Sequence, residues 1–266
     1  MTAAPIARLS EGGRLWALGA LFGDDQALAT LAPALLDRWR RGDHFVVLGN
    51  MLGDRGDPCR TLDLLLRLRR RLMAANLGCS VVFLRGAQEE MWHKLLALQF
   101  ALEPLSVLDW MLARGLAAVV EGYGASIADG RFACRHGPSA IVRWTVEVRE
   151  QQSRHPGHPE LLNGLKRAAL DATGGILMAA AGIDPRRPLD EQADSFWWSG
   201  QSDAALATAL ARGGDAGWDR LARLVRGAGS APDEADDDGR VLTVTRQRPA
   251  LVALDAAGRL IDRIEA

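Results

Sequence analysis

The sequence has little lysine and no cysteine pattern. Lys94 and Lys166 are the only lysines, so nearly all basic charge is arginine. Lys and Arg total 32 against 33 Asp and Glu, a net charge of −1, and so balanced a chain sets up no long-range field to gather nucleic acid or an anionic membrane. Neither partner is expected. Cys59, Cys79 and Cys134 stand far apart, with no CxxC pair and no disulfide spacing, as buried thiols of a reducing compartment do. No apolar run reaches the ~20 residues that span a bilayer, and residues 1–13 lack the basic and apolar regions of a secretory signal. These absences predict a cytoplasmic protein. There is no internal repeat, and low complexity is confined to the acidic run Asp233 to Asp238, expected as a solvated loop within 230–239.

What is present suffices for a large core. At 266 residues, 48% hydrophobic and 24% charged, the chain is expected to form one α/β domain over 1–266, with 1–13 a flexible lead-in. Arg14 to Gly19 reads as a short strand. Leu28, Leu31, Leu35, Leu36 and Trp39 then recur at helical spacing behind Asp24 and Asp25, which suit a helix N-terminus. His44 to Gly49 is a second buried strand, and a helix with Leu62, Leu64, Leu65, Leu66, Leu68 and Leu72 inside leads to a third, Ser80 to Leu84. Strands joined by crossover helices predict a parallel sheet covered on both faces. Glu89 to Phe100, Ser106 to Ala113 and Glu160 to Ala172 read as helices, and Ile176 to Ala181 as a fourth buried strand. Val241 to Thr245, Ala250 to Leu254 and Leu260 to Ile264 close the chain as strands, the last two forming a hairpin.

Ligands of parallel α/β proteins bind just past the carboxyl ends of strands. At that place after the third strand stand Ala87 and Gln88, neither of them a strong acid, base or metal ligand. The strand-end stretches Gly19-Ala-Leu-Phe-Gly23, Leu48-Gly-Asn-Met-Leu-Gly-Asp-Arg-Gly56, Phe83-Leu-Arg-Gly-Ala-Gln-Glu89 and Ala180-Ala-Gly-Ile-Asp-Pro185 carry a resemblance. In order and context they are similar to the GDxHG, GDxxDRG, GNHE and HAGxDP motifs of calcineurin-like metallophosphoesterases, in particular the bacterial branch related to serine/threonine protein phosphatases. Gly122-Tyr123-Gly124, Pro185 to Gln192 and Trp197-Trp198 resemble that branch too. The resemblance covers residues 14–200 and implies a sandwich of two mixed β-sheets flanked by helices.

It also implies a two-metal centre, with Mn, Fe or Zn clamping the phosphoryl oxygens and generating hydroxide. Such a site needs carboxylate and imidazole donors. Here the first motif's Asp and His correspond to Ala20 and Phe22, and the bridging Asp of the second to Asn50. The ligating Asn and catalytic His of the third are Ala87 and Gln88, and the His of the fourth is Ala180. The final GHT motif matches nothing better than Gly227-Ala228-Gly229. Methyl and phenyl groups have no lone pairs, and Gln88 cannot protonate a leaving alkoxide as an imidazolium does. The expectation is a pseudophosphatase without a metal cofactor, a regulatory or scaffolding module that binds a protein partner or a phosphate-type anion on its old active-site face.

Arg55, in an element similar to the family's phosphate-contacting DRG, and Arg85 are the anion-binding candidates. With one extra residue in this loop, either Gly53 or Asp54 falls at the Asp of that element. Both arginines can instead form structural ion pairs with Asp54, Asp57 or Glu89. The alternative function is an active phosphoesterase whose rearranged metal site uses Asp24, Asp25, Asp54, Asp57 and a distant His. His155 and His158 could pair on a metal but lack neighbouring donors at ligand spacing. His44, His93 and His136 read as structural, Phe196-Trp197-Trp198 as core or lid, and Arg67, Arg69, Arg70 and Arg71 as the solvated face of a helix.

Overall fold

The computed structural model describes residues 6–213, 218, 220–229 and 239–266; residues 230–238 of the acidic run lie outside these. In chain order the strands are β1 (Ala7–Arg8), β2 (Leu15–Leu18), β3 (His44–Val47), β4 (Val81–Phe83), β5 (Ala169–Leu170), β6 (Ile176–Ala179), β7 (Arg223–Ala228), β8 (Val241–Thr245), β9 (Ala250–Leu254) and β10 (Leu260–Glu265). The helices are α1 (Asp25–Arg38), α2 (Pro58–Ala75), α3 (Ala87–Leu96), α4 (Pro104–Met111), α5 (Ala117–Gly122), α6 (Ile127–Arg135), α7 (Pro138–Ser153), α8 (His158–Asn163) and α9 (Asp203–Ala211).

One sheet has the order β10-β9-β2-β3-β4 and the other β1-β5-β6-β7-β8. Strands β2, β3 and β4 are mutually parallel, as are β6, β7 and β8, while β9 runs against both of its neighbours, β2 and β10, and β5 runs against β6 but parallel to β1. Both sheets are therefore mixed, as the resemblance implies; the parallel pairing expected of the first three strands holds for β2, β3 and β4. The pleat assigns the core: alternate residues of a strand face opposite ways, so Leu15 and Ala17 join Met178, Val225 and Val244 between the sheets. Trp16 and Leu18 point outward to α1 and α2, and on the far side Leu177 and Ala179 pack with Phe196 and Leu206.

The crossover helices start where the sequence supplies caps. Asp24 accepts the Ala27 amide at 2.8 Å to start α1. Asp57, with Pro58 at the first helical position, accepts the Arg60 amide at 2.9 Å to start α2. On α2, Leu62, Leu65, Leu68 and Leu72 are buried but Leu64 and Leu66 only half-buried, since they fall to the sides of the inner stripe, and Arg67, Arg69, Arg70 and Arg71 are exposed, the solvated face expected of them.

Two expectations are corrected, and one strand is not foreseen. Residues 6–13 are not a free lead-in: Ala7–Arg8 pair in parallel with Ala169–Leu170, and Leu9 is buried. The helix expected to Ala172 stops at Asn163, capped at Gly164, because the chain must turn back to supply β5, which lies between β1 and β6. Strand β7 escapes the sequence pattern because arginines interrupt it. Arg226 is fully buried and reaches Asp203 of α9 at 2.6 Å and Thr243 of β8 at 2.9 Å.

Candidate functional site at the strand carboxyl ends

The strand-end positions picked out by sequence converge. Asn50 O accepts the Leu21 and Phe22 amides at 3.0 and 2.8 Å, tying the loop after β2 to the loop after β3. Gly227 O accepts the Ala20 amide at 3.4 Å, and Ala180 O accepts the Ala228 amide at 3.1 Å. At Gly49, a side chain would stand 2.7 Å from the Gly86 nitrogen and 3.0 Å from the Ala180 methyl. Only glycine permits that approach, and φ of 77° there also favours it. Ala20, Phe22, Asn50, Ala87, Gln88, Ala180 and Ala228 thus belong to one set of contiguous loops. Ala20 and Ala180 are wholly buried, Asn50 and Gln88 nearly so.

Two of these loops, those after β3 and β4, are fastened by one carboxylate. Glu89, fully buried near the start of α3, accepts the amides of Asn50 and Gly86 on Oε2 at 2.9 and 2.8 Å, and those of Met51 and Leu52 on Oε1 at 2.8 and 3.0 Å. Burial pushes its pKa above the ordinary carboxylate range, and these four N–H donors hold it back. In return Asn50 Oδ1 accepts the Gln88 amide at 3.1 Å. Phe22 and Asn50 both have left-handed backbones, φ of 53° and 51°, a conformation that costs a bulky residue ~1–2 kcal/mol. The loop-to-loop hydrogen bonds, including Arg55 N to Phe22 O at 2.9 Å, hold it in place.

The two arginine candidates differ. Arg85 is half-buried and ion-paired to Glu90 at 3.0 Å; the partner is Glu90 because Glu89 is taken up by backbone amides. Arg55 is exposed and lies over the Phe22 ring, 4.8 Å from its centroid, with no ion pair among the described residues. Gln88 Nε2 donates to Arg114 O at 2.7 Å, while its Oε1 is buried without a donor. That carbonyl belongs to the break between α4 and α5, where Gly115 (φ 103°) would bring a side chain to 3.4 Å from Asp54. Arg114 is thereby a neighbour of the site that sequence reasoning missed; the helical break that positions it leaves only a glycine as a trace.

The carboxylates of the rearranged-site alternative are spread over structural tasks. Asp24 and Asp57 cap helices, and Asp25 receives the Asp57 amide at 3.1 Å and pairs with Arg60 at 3.3 Å. His155 and His158 do meet, 5.1 Å between ring centroids. They do so inside a chain the sequence did not reveal: the Tyr123 hydroxyl lies 3.0 Å from His158 Nδ1, whose Nε2 is 3.2 Å from Asp63. Burial lowers the His158 pKa and that of His93, and raises the Cys59 thiol to about 12, far from a thiolate nucleophile. His136 stacks on Phe132 at the surface. Phe196 and Trp197 are core, and only Trp198 is partly exposed, beside Lys94.

A two-metal centre at these strand ends does not fit the residues present. Among the described residues, no group of three or more His, Cys, Asp or Glu side chains is placed to share an ion. The seven side chains at the loop junction offer two amides, four methyl groups and a phenyl ring.

With this geometry in view, likeness to solved structures fixes the fold. A putative diadenosine tetraphosphatase superposes with a TM-score of 0.54 at 15% identity, covering 99% of this chain and 98% of its own. A cold-active protein-tyrosine phosphatase of a psychrophilic Shewanella gives 0.52 at 16%, covering 99% and 83%. A serine/threonine phosphatase from Saccharomyces cerevisiae gives 0.51 at 14%, covering 99% and 84%. The chain therefore has a metallophosphoesterase-like fold: two five-stranded mixed sheets flanked by helices. No protein-family model and no curated protein matches the sequence. Among the described residues, no helix is long and apolar enough to cross a membrane.

Proposed function

We propose that this protein is a pseudophosphatase: a metallophosphoesterase fold that has kept its strand-end loops, lost the two-metal chemistry, and serves as a binding module. One observation carries the reading. Where the resemblance calls for ligands and a proton donor, the chain has Ala20, Phe22, Asn50, Ala87, Gln88, Ala180 and Ala228, in contiguous loops joined by backbone hydrogen bonds and, between the loops after β3 and β4, by Glu89.

The ligand class that suits the surviving face is a phosphate-type anion, free or carried on a protein partner, and Arg55 is the group to hold it. Its guanidinium is exposed, free of carboxylate partners among the described residues, and oriented by the Phe22 ring. Arg85 is the weaker candidate because Glu90 already neutralises it.

The second reading is an active phosphoesterase, favoured by the solved structures of similar fold, which are named as phosphatases. Turnover of a nitrophenyl phosphate, assayed with Mn, Mg, Zn and Ni in turn, separates the two. The pseudophosphatase reading expects a flat profile, and metal-dependent turnover abolished by a chelator would establish the enzyme.

A further inference from the structure

A cavity of about 200 Å³ lies at the opposite end of the molecule, lined by Leu9, Leu15, His44, Asp171 and Ile176 among others. Leu15, His44 and Ile176 are the first residues of β2, β3 and β6, so the space opens at the amino ends of the strands, between the two sheets. The sheet cores continue into it as apolar wall. An apolar cavity of roughly 150 Å³ already takes a benzene ring, so a single-ring or short-chain molecule fits.

Its polar groups specify the rest. Glu11, Asp171 and Asp255 all line it. Asp255 is neutralised by Arg259 at 2.7 Å. Among the described residues neither Glu11 nor Asp171 has a cationic partner; Asp171 accepts only from the Thr173 amide and hydroxyl and the Ile176 amide. Two uncompensated carboxylates beside apolar wall favour an occupant of positive charge. On the inner side stands His44, 4% exposed. Its Nδ1 accepts the Ser80 amide at 3.0 Å, which places the proton of the neutral ring on Nε2. That buried N–H has no partner of good hydrogen-bond geometry, the Glu11 backbone approaching without completing one. It would donate to an oxygen on the ligand.

We propose that this cavity binds a small organic amine, its apolar body between the sheets, its ammonium group at Glu11 and Asp171, and a hydroxyl oxygen where present at His44. The site is separate from the strand carboxyl ends and independent of what they do.

The test is saturable binding to the full chain by calorimetry and thermal shift, with 2-phenylethylamine, its 4-hydroxy analogue tyramine, and the charge-reversed 4-hydroxyphenylacetate as probes. The expected order is tyramine, then phenylethylamine, with the carboxylate not binding. Glu11→Gln, at an exposed residue, should weaken both amines roughly three- to tenfold, the worth of one partly screened ion pair. Ala256→Trp, at an exposed turn residue on the cavity lining, should abolish binding without changing the melting temperature of the free protein. Equal binding of amine and carboxylate, no saturable amine binding, or amine binding unaffected by Ala256→Trp would overturn the proposal.

Discussion

Glu89 and Asn50 cap each other's segments: the Glu89 carboxylate accepts the Asn50 amide at 2.9 Å, and Asn50 Oδ1 accepts the amide of Gln88, next to Glu89, at 3.1 Å. The loop after β3 and the start of α3 are thus joined by protein atoms, at a place where the resemblance implies a shared cation.

The first prediction concerns that joint. Glu89→Gln puts an amide NH₂ among four N–H donors, so at least one backbone donor loses its acceptor inside a dry site. Losing hydrogen bonds to a charged acceptor costs ~1.5–3 kcal/mol each in typical cases, partly offset by relaxation. The urea midpoint should fall by an amount equal to roughly 2–4 kcal/mol. A loss below about 1 kcal/mol would mean that Glu89 is not what fastens the loops.

A second follows from the burial of Ala20. Its side chain has no exposure, and its amide is turned to Gly227 O. Ala20→Asp, which restores the acid of the first motif, buries a carboxylate without a partner and should destabilise the fold by roughly 2 kcal/mol or more. It should not bring in a metal, since the other donors are missing. Stability unchanged or raised in the presence of Mn would show that a cation can enter.

Arg55 supplies a third. Its stacking on Phe22 is exposed and worth only ~0.5–1 kcal/mol, so Arg55→Ala should leave the melting temperature of the free protein nearly unchanged. It should remove any thermal shift that phosphate or nucleotides give the wild type, whereas Arg85→Ala should remove less of it. A phosphate shift that survives Arg55→Ala would move anion binding elsewhere.

The fourth is a pH dependence. Burial depresses the pKa of His44 against the opposing pull of Asp43, and likewise those of His93 and His158. A depressed native pKa gives stability that is present above the unfolded value, about 6.5, and lost as pH falls through the native value. The urea midpoint should therefore drop on going from pH 7.5 to 5.5, by at most about 1.4 kcal/mol per pH unit for each histidine. The surface carboxylates with lowered pKa, Asp184 and Asp255, act at lower pH and lie outside this window. His44→Asn, whose carbonyl can still accept the Ser80 amide, should flatten the acid limb. A midpoint constant across this range would contradict the assignment of neutral, buried rings.

Much of the fold was legible because local signals agreed with the tertiary ones. The capping aspartates Asp24 and Asp57, the leucine spacing of α2 and the apolar runs of β2, β3 and β4 each point to the element that forms. The strand-end positions were legible as a set because four loops kept their glycines and order. Sequence failed where burial was polar. Strand β7 is hidden by Arg226, which partners that include Asp203, Thr243, Ala181 O and Gln201 O make tolerable in the core. The Tyr123–His158–Asp63 chain spans 95 positions and leaves no local trace. Arg114 reaches the site through a helix break that nothing but Gly115 foreshadows, and Arg85 turned to Glu90 because the neighbouring Glu89 had four amides to satisfy.

The central claim is that the loops close without metal, and elemental analysis of natively purified protein tests it most directly. The account predicts Mn, Fe and Zn together at far less than one equivalent per chain, before and after dialysis against each ion. A retained stoichiometry of about one or two, removable only by a chelator, would contradict it.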